Sequence, residues 1–143
     1  MPLPTTDIVT WITALGWNIT QETGAPLYLG PHVPPEPDRL VVISPTPGPG
    51  FQLEGAADTS AFQALVRGQQ GGDQSLHAQT HAEQMAYALD ALIFGAQFPA
   101  TLPSGHVLML VTRLGGHPSP LGPTADDADR FIFTCQYLVQ AST

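Results

Sequence analysis

The chain contains no lysine and only four arginines, Arg39, Arg67, Arg113 and Arg130, against twelve acids, for a net charge of -8 over 143 residues. Affinity for nucleic acid comes largely from Lys and Arg neutralising phosphates, and four scattered arginines cannot form a basic stripe. Sequence-specific DNA or RNA binding is therefore excluded as the main activity, as is adsorption to an anionic membrane surface. There is one cysteine, Cys135. That rules out a disulfide framework and any cysteine-based zinc site within one chain. Lying in an apolar run, Cys135 reads as a small buried hydrophobe rather than a nucleophile. No run reaches the roughly 18 apolar residues of a transmembrane helix. The opening "MPLPTTDIVTW" lacks the basic region and apolar stretch of a signal peptide, so a cytosol-like compartment is expected.

Charged residues are scarce too, at 11%, under half of the usual ~25%. The polar surface must come from Thr, Ser, Gln, Gly and Pro, which suits packing against other protein. The length fits one domain, residues 1–143, able to bury roughly 70% of the surface of its unfolded chain without a metal or cross-link.

What is present reads as alternating helix and strand signals. Ile8, Trp11, Ile12 and Leu15 fall on one helix face, which predicts a helix over about 6–15, with Thr6 or Asp7 as cap and Gly16 as stop. Leu27–Leu29 is a short apolar run, and Arg39–Ser44 is rich in β-formers. "PTPGPG", residues 45–50, reads as a turn or extended arm, unfit for a helix or central strand. Phe62, Ala64 and Val66 alternate with Gln63, Leu65 and Arg67, which predicts a strand followed by a loop from Gly68 to Ser75. A helix then runs from Leu76 or Ala78 to Phe94. Its stripe is Met85, Leu89, Leu92 and Ile93, with Ala82, Ala86 and Ala88 allowing close approach. "FPATLPSG" reads as loop, Val107–Leu114 as strand, "GGHPSPLGPTADD" as a long loop and Arg130–Val139 as a last strand with Phe131, Phe133, Cys135, Tyr137 and Val139 on one face. The fold class is α+β: a mixed, mainly antiparallel sheet of four or five strands with two helices on one face.

Motifs for chemistry fall short. "RGQQGGD" before a helix has the glycines of a phosphate cradle but neither a Lys-Ser/Thr nor G-x-G-x-x-G spacing, and Asp73 would repel an anion. His77 and His81 have metal-ligand spacing on a helix, yet nothing in sequence places a third ligand. "TADDADR" lacks the D-x-D-x-D-G spacing and distal Glu of a calcium loop. No G-x-S-x-G elbow is present. No catalytic, cofactor or metal residues are assigned.

Several segments together resemble a known family. They are "PLYLGPHVPPEPDRLVVISPTPGPG", "FQALVRGQQ", "AEQMAYALDALIFG" and "RLGGHPSPLG…DDADRFIFTCQYLVQ". Across about residues 8–141 they are similar to the tail terminator and minor capsid proteins of long-tailed bacteriophages. The resemblance implies an α+β subunit of a ring, a hexamer, on the end of the tail tube, which stops tube polymerisation and offers a surface to the head connector. It implies the virion as location, at the head–tail junction, with assembly in the host cytoplasm. Partners would be further copies of the chain, the tail tube protein and head–tail connector proteins; DNA would slide through an acidic channel without being held, and no membrane is involved. No residue set carries over from the family. From charge alone, Arg67, Arg113, Asp126, Asp127, Asp129 and Arg130 are candidate subunit or partner contacts, the arginines pairing with the 126–129 acids. Alternatives are a head-closure or neck adaptor or another minor capsid protein of the head–tail junction and, in a different class, an enzyme or metalloprotein built on the His77/His81 turn.

Overall fold

The structure, a computed structural model, describes residues 4–17, 27–30, 33, 39–46, 58–69, 76–123 and 130–142. Its elements are α1 (Thr5–Ala14), β1 (Leu27–Leu29), β2 (Leu40–Thr46), β3 (Asp58–Gln69), α2 (Leu76–Phe94), β4 (Ala100–Thr101), β5 (Val107–Pro123) and β6 (Arg130–Ser142). The strands form one six-stranded sheet in the order β1-β2-β3-β6-β5-β4. Among the described residues, only the β1–β2 pair is parallel. The expected α+β class, with a mixed and mainly antiparallel sheet, is what the chain adopts.

Alternation decides which face is core. Val41, Ile43, Phe62, Ala64, Val66, Phe133, Cys135, Tyr137 and Val139 join Ile8, Trp11 and Ile12 of α1 and Ala82, Met85, Ala86, Leu89 and Ile93 of α2 in one buried cluster. Paired residues share a face, so the register carries the same pattern across strands: Val41 opposes Val66, Ile43 opposes Ala64, and Phe62 opposes Tyr137. The Phe62 and Tyr137 rings stack with centroids 5.1 Å apart. The apolar stripe of α2 is 78, 82, 85, 86, 89 and 93, all buried, whereas Leu92 and Ala88 sit at its margin, half-buried.

Four local readings are corrected. The N-cap of α1 is Pro4, with no side-chain cap; Asp7 lies within the first turn and turns inward. Gly16, at φ +104°, ends the helix as expected. β3 does not stop at Arg67 but continues through Gly68 to Gln69. A Cβ on Gly68 would stand 2.4 Å from the backbone N and 2.7 Å from the Cα of Ala82. The end of the strand therefore meets α2 backbone to backbone, which only glycine permits. The glycine that looked like a loop signal is a packing requirement.

Third, β5 continues through Gly115–Pro118, expected as loop, to Pro123. Register shifts between Leu114 and Ser119 and between Pro120 and Gly122 absorb the glycines and prolines, as bulges on an edge strand can. Fourth, β2 includes Pro45 and Thr46, opposite Phe62 and Ala61. Pairing with β1 ends at Ile43, so among the described residues Pro45 lies where β2 has a strand on one side only, and its missing N–H breaks no ladder seen there. β4, the strand beyond the expected count, is two residues paired to Leu108 and Val107; between two prolines it is too short to show a period of two.

Candidate interaction surface

The charged residues singled out in sequence divide into three groups. Asp126, Asp127 and Asp129 lie outside the described residues. Arg67 and Arg130 are in strands, on the face of the sheet turned away from the helices, in register with Ile132 and Gln69 respectively. Both are buried, Arg67 to 4% exposure, and both are engaged within the chain. The monomer thus presents neither as the open, exposed cation that the sequence suggested. The pairing expected with the 126–129 acids lies outside the described residues, and Arg113, partly exposed, has a partner within the chain.

That partner is Asp90, on α2. Arg113 Nε donates to Asp90 Oδ1 at 2.9 Å and Nη2 donates to Oδ2. The Tyr137 hydroxyl donates to Oδ1 at 3.0 Å. A buried carboxylate without partners is costly; here three donors on β5 and β6 answer it. The Arg113 guanidinium also stands 4.7 Å from the centroid of the Phe94 ring, within cation–π range. The hydrogen bond to Asp90 holds the Arg113 pKa above its ordinary value. Burial pushes the Cys135 thiol up to about 11 and, as the main cause, drives the Tyr137 hydroxyl above its ordinary range. Cys135 is accordingly an inert thiol. Asp90 was missed in sequence, although an acid inside "ALDALIF" at core spacing demands a buried partner.

A second cluster has the residue types of a hydrolase triad. Asp7 Oδ2 accepts from the Ser104 backbone N at 3.2 Å and from Ser104 Oγ, which lies 2.6 Å from His106 Nδ1. The wiring differs from a triad, in which His stands between Ser and Asp. Ser104 has one hydroxyl proton, and the Asp7 carboxylate takes it. His106 Nδ1 must then be the donor to Ser104 Oγ. A hydroxyl that accepts from imidazole is not activated by it. The cluster pins the start of α1 to the β4–β5 hairpin.

His81 is half-buried and engaged within the chain; the side chain of His77 lies outside the described residues. Among the described residues, no group of three or more His, Cys, Asp or Glu is placed to hold a metal ion. Among the same residues, no helix is long and apolar enough to cross a membrane.

What the fold does expose is apolar. Met109 and Leu110 are each 46% exposed, Leu114 38% and Leu121 67%, all on β5, and Tyr87 and Phe94 of α2 are exposed as well. β4 covers the outer edge of β5 only at Val107 and Leu108. From 109 to 114 that edge has no neighbouring strand among the described residues. Unpaired edges of this kind are sites for adding another strand. Neither β5 nor β6 contains an Asp or Glu, so this half of the sheet is free of acid in a strongly acidic chain.

No family model matches the chain, and no curated protein does. Among solved structures it is similar to a chain from the virion of a native gene transfer agent particle. The match covers 92% of this chain and 84% of the other, with 19% identity and a TM-score of 0.50. At that identity the likeness is one of fold.

Proposed function

We propose that this chain is a structural protein of a phage-like virion, and specifically a tail terminator: one domain, residues 1–143, forming a hexameric ring on the end of the tail tube. The ring halts tube polymerisation and gives the head connector a surface to dock on. The observation that carries this reading is the likeness to a virion chain across 92% of the sequence. The exposed apolar side chains of β5 and α2 and the free β5 edge support it, because an assembly subunit must leave contact surface uncovered in its monomer. The chain is not an enzyme; the wiring of Ser104 and the inert setting of Cys135 agree with that. Its partners are further copies, the tail tube protein and the connector. It works in the virion at the head–tail junction and is assembled in the host cytoplasm. Its net charge of -8 suits a channel through which DNA slides without being held.

The test is to polymerise purified tail tube protein with and without this chain and image the products by electron microscopy. Tubes that carry a ring at one end and no longer extend when fresh tube protein is added support the terminator. Tubes that extend regardless overturn it. Gold-labelled antibody bound to heads that lack tails would move the assignment to a head-closure or neck adaptor.

A further inference from the structure

We propose that the free edge of β5 pairs antiparallel with the same edge of a second copy, centred on Thr112, to make a weak twofold dimer. This contact is separate from ring closure and does not rest on the terminator reading.

Three observations place it. The first is the sequence of the free stretch, Leu110-Val111-Thr112-Arg113-Leu114, which reads apolar–Thr–apolar on one face in both directions. Leu110, Thr112 and Leu114 are in register with Gln140, Leu138 and Gln136 on the face turned away from the helices, and all three are exposed. An antiparallel pair centred on Thr112 sets Leu110 opposite Leu114 of the second copy, Leu114 opposite Leu110, and Thr112 opposite Thr112. Apolar and Thr–Thr cross-strand pairs are favourable ones.

The second is the fit of the ends. At Leu108 the outer edge is already taken by β4. In the proposed register, Leu108 would meet Gly116 of the second copy. β5 leaves its regular path there: Gly116 has φ +97°, and the register with β6 slips between Leu114 and Ser119. The second strand bends away where β4 would obstruct it, and by symmetry the same holds at the other end.

The third is charge. β5 and β6 carry no acid, and the nearest cation, Arg113, is neutralised by its own Asp90. Two copies therefore meet at this edge without bringing like charges together, whereas the chain as a whole is acidic. The extent of the contact sets its strength. Five paired residues per copy are far fewer than the roughly 20–30 per side of a stable complex, so the dimer is reversible and concentration-dependent.

Cysteine scanning tests the register in the full-length protein. The native Cys135 is buried and gives little background. Thr112→Cys should form disulfide-linked dimers under mild oxidation at least tenfold faster than Gln79→Cys, an exposed control on α2. Leu110→Cys alone should cross-link no faster than that control. Leu110→Cys mixed with Leu114→Cys should cross-link as Thr112→Cys does. Leu114→Glu should abolish the concentration-dependent dimer in sedimentation velocity while leaving the circular dichroism spectrum unchanged. Thr112→Cys no faster than the control, or Leu110→Cys alone as fast as the mixture, overturns the proposal.

Discussion

Arg113 on β5 and Asp90 on α2 grip each other in a two-pronged ion pair, 23 residues apart in sequence, that ties the long helix to the free edge of the sheet. The two partners are unequal. Asp90 is buried, whereas the Arg113 side chain retains 34% exposure. Removing one partner of a fully buried pair costs about 3–5 kcal/mol, and solvent reaches this pair from the Arg113 side. Arg113→Ala, which strands the buried carboxylate with only Tyr137, should cost about 2–3 kcal/mol in a denaturant titration. Asp90→Asn, which leaves a cation able to turn to water, should cost less. Equal losses, or a larger one for Asp90→Asn, would show that the carboxylate is not the dependent partner.

Alkaline pH should weaken the fold through Cys135 and Tyr137. The folded thiol titrates at about 11 against an ordinary 9.0, because burial disfavours the thiolate. Tyr137 is raised in the same direction. A group with a raised folded pKa binds its proton more tightly when folded, so its contribution is complete below the unfolded pKa and declines as pH rises above it. Stability should hold up to about pH 8, then fall from about pH 9 to 11, by up to about 3 kcal/mol from Cys135. Cys135→Ser should remove part of this decline. A melting temperature unchanged between pH 8 and pH 11 contradicts the burial argument.

Gly68→Ala should be disproportionately harmful for an added methyl. The new Cβ would meet backbone atoms of Ala82, at 2.4 and 2.7 Å, which no rotamer change can relieve. Overpacking typically costs 1–3 kcal/mol, and displaced backbone puts this case at about 3 or more. Gly105→Ala is a control with open space around it, and should show only the modest strain of its positive φ, 92°. If the two variants melt together, α2 is not seated on the strand as described.

Along α2, burial separates two leucines that the spacing grouped together. Leu89 is fully buried and Leu92 is half-buried. Leu89→Ala should cost about 2–5 kcal/mol, and Leu92→Ala about half as much or less. A loss below about 0.5 kcal/mol for Leu89→Ala would mean that the stripe does not face the core.

These comparisons also explain what could be read in the residues. The period of two in Phe62-Ala64-Val66 and Phe133-Cys135-Tyr137, and the helical spacing of Ile8-Trp11-Ile12, are local consequences of facing one core, so they mark the elements and the class of fold. The gripping of Asp90 by Arg113 is non-local. It depends on which strand lies under α2, and charge alone does not single out Asp90. Gly68 and Gly116 illustrate the same limit, since a glycine set against a close helix or in a bulge has the same letter as one in a loop. The exposed "LMLVTRL" edge looked like ordinary strand because nothing local reveals which strand ends a sheet.

Self-association should strengthen with salt. Each copy carries -8, so a pair carries -16 (twice -8) and approach is opposed at long range. The acids responsible lie off β5 and β6, which contain none; the edge contact therefore contributes no attraction that salt could screen away. Raising sodium chloride from 0.1 M to 1 M shortens the Debye length from about 10 Å to about 3 Å, which removes the repulsion and leaves the backbone and leucine contacts in place. Chloride is the appropriate anion, because sulfate strengthens apolar burial on its own. Sedimentation velocity across this series should show a rising dimer fraction at fixed protein concentration. A falling fraction would mean that ion pairs away from the β5 edge hold the copies together, and would direct attention to Arg39 and the acids of the 126–129 segment instead.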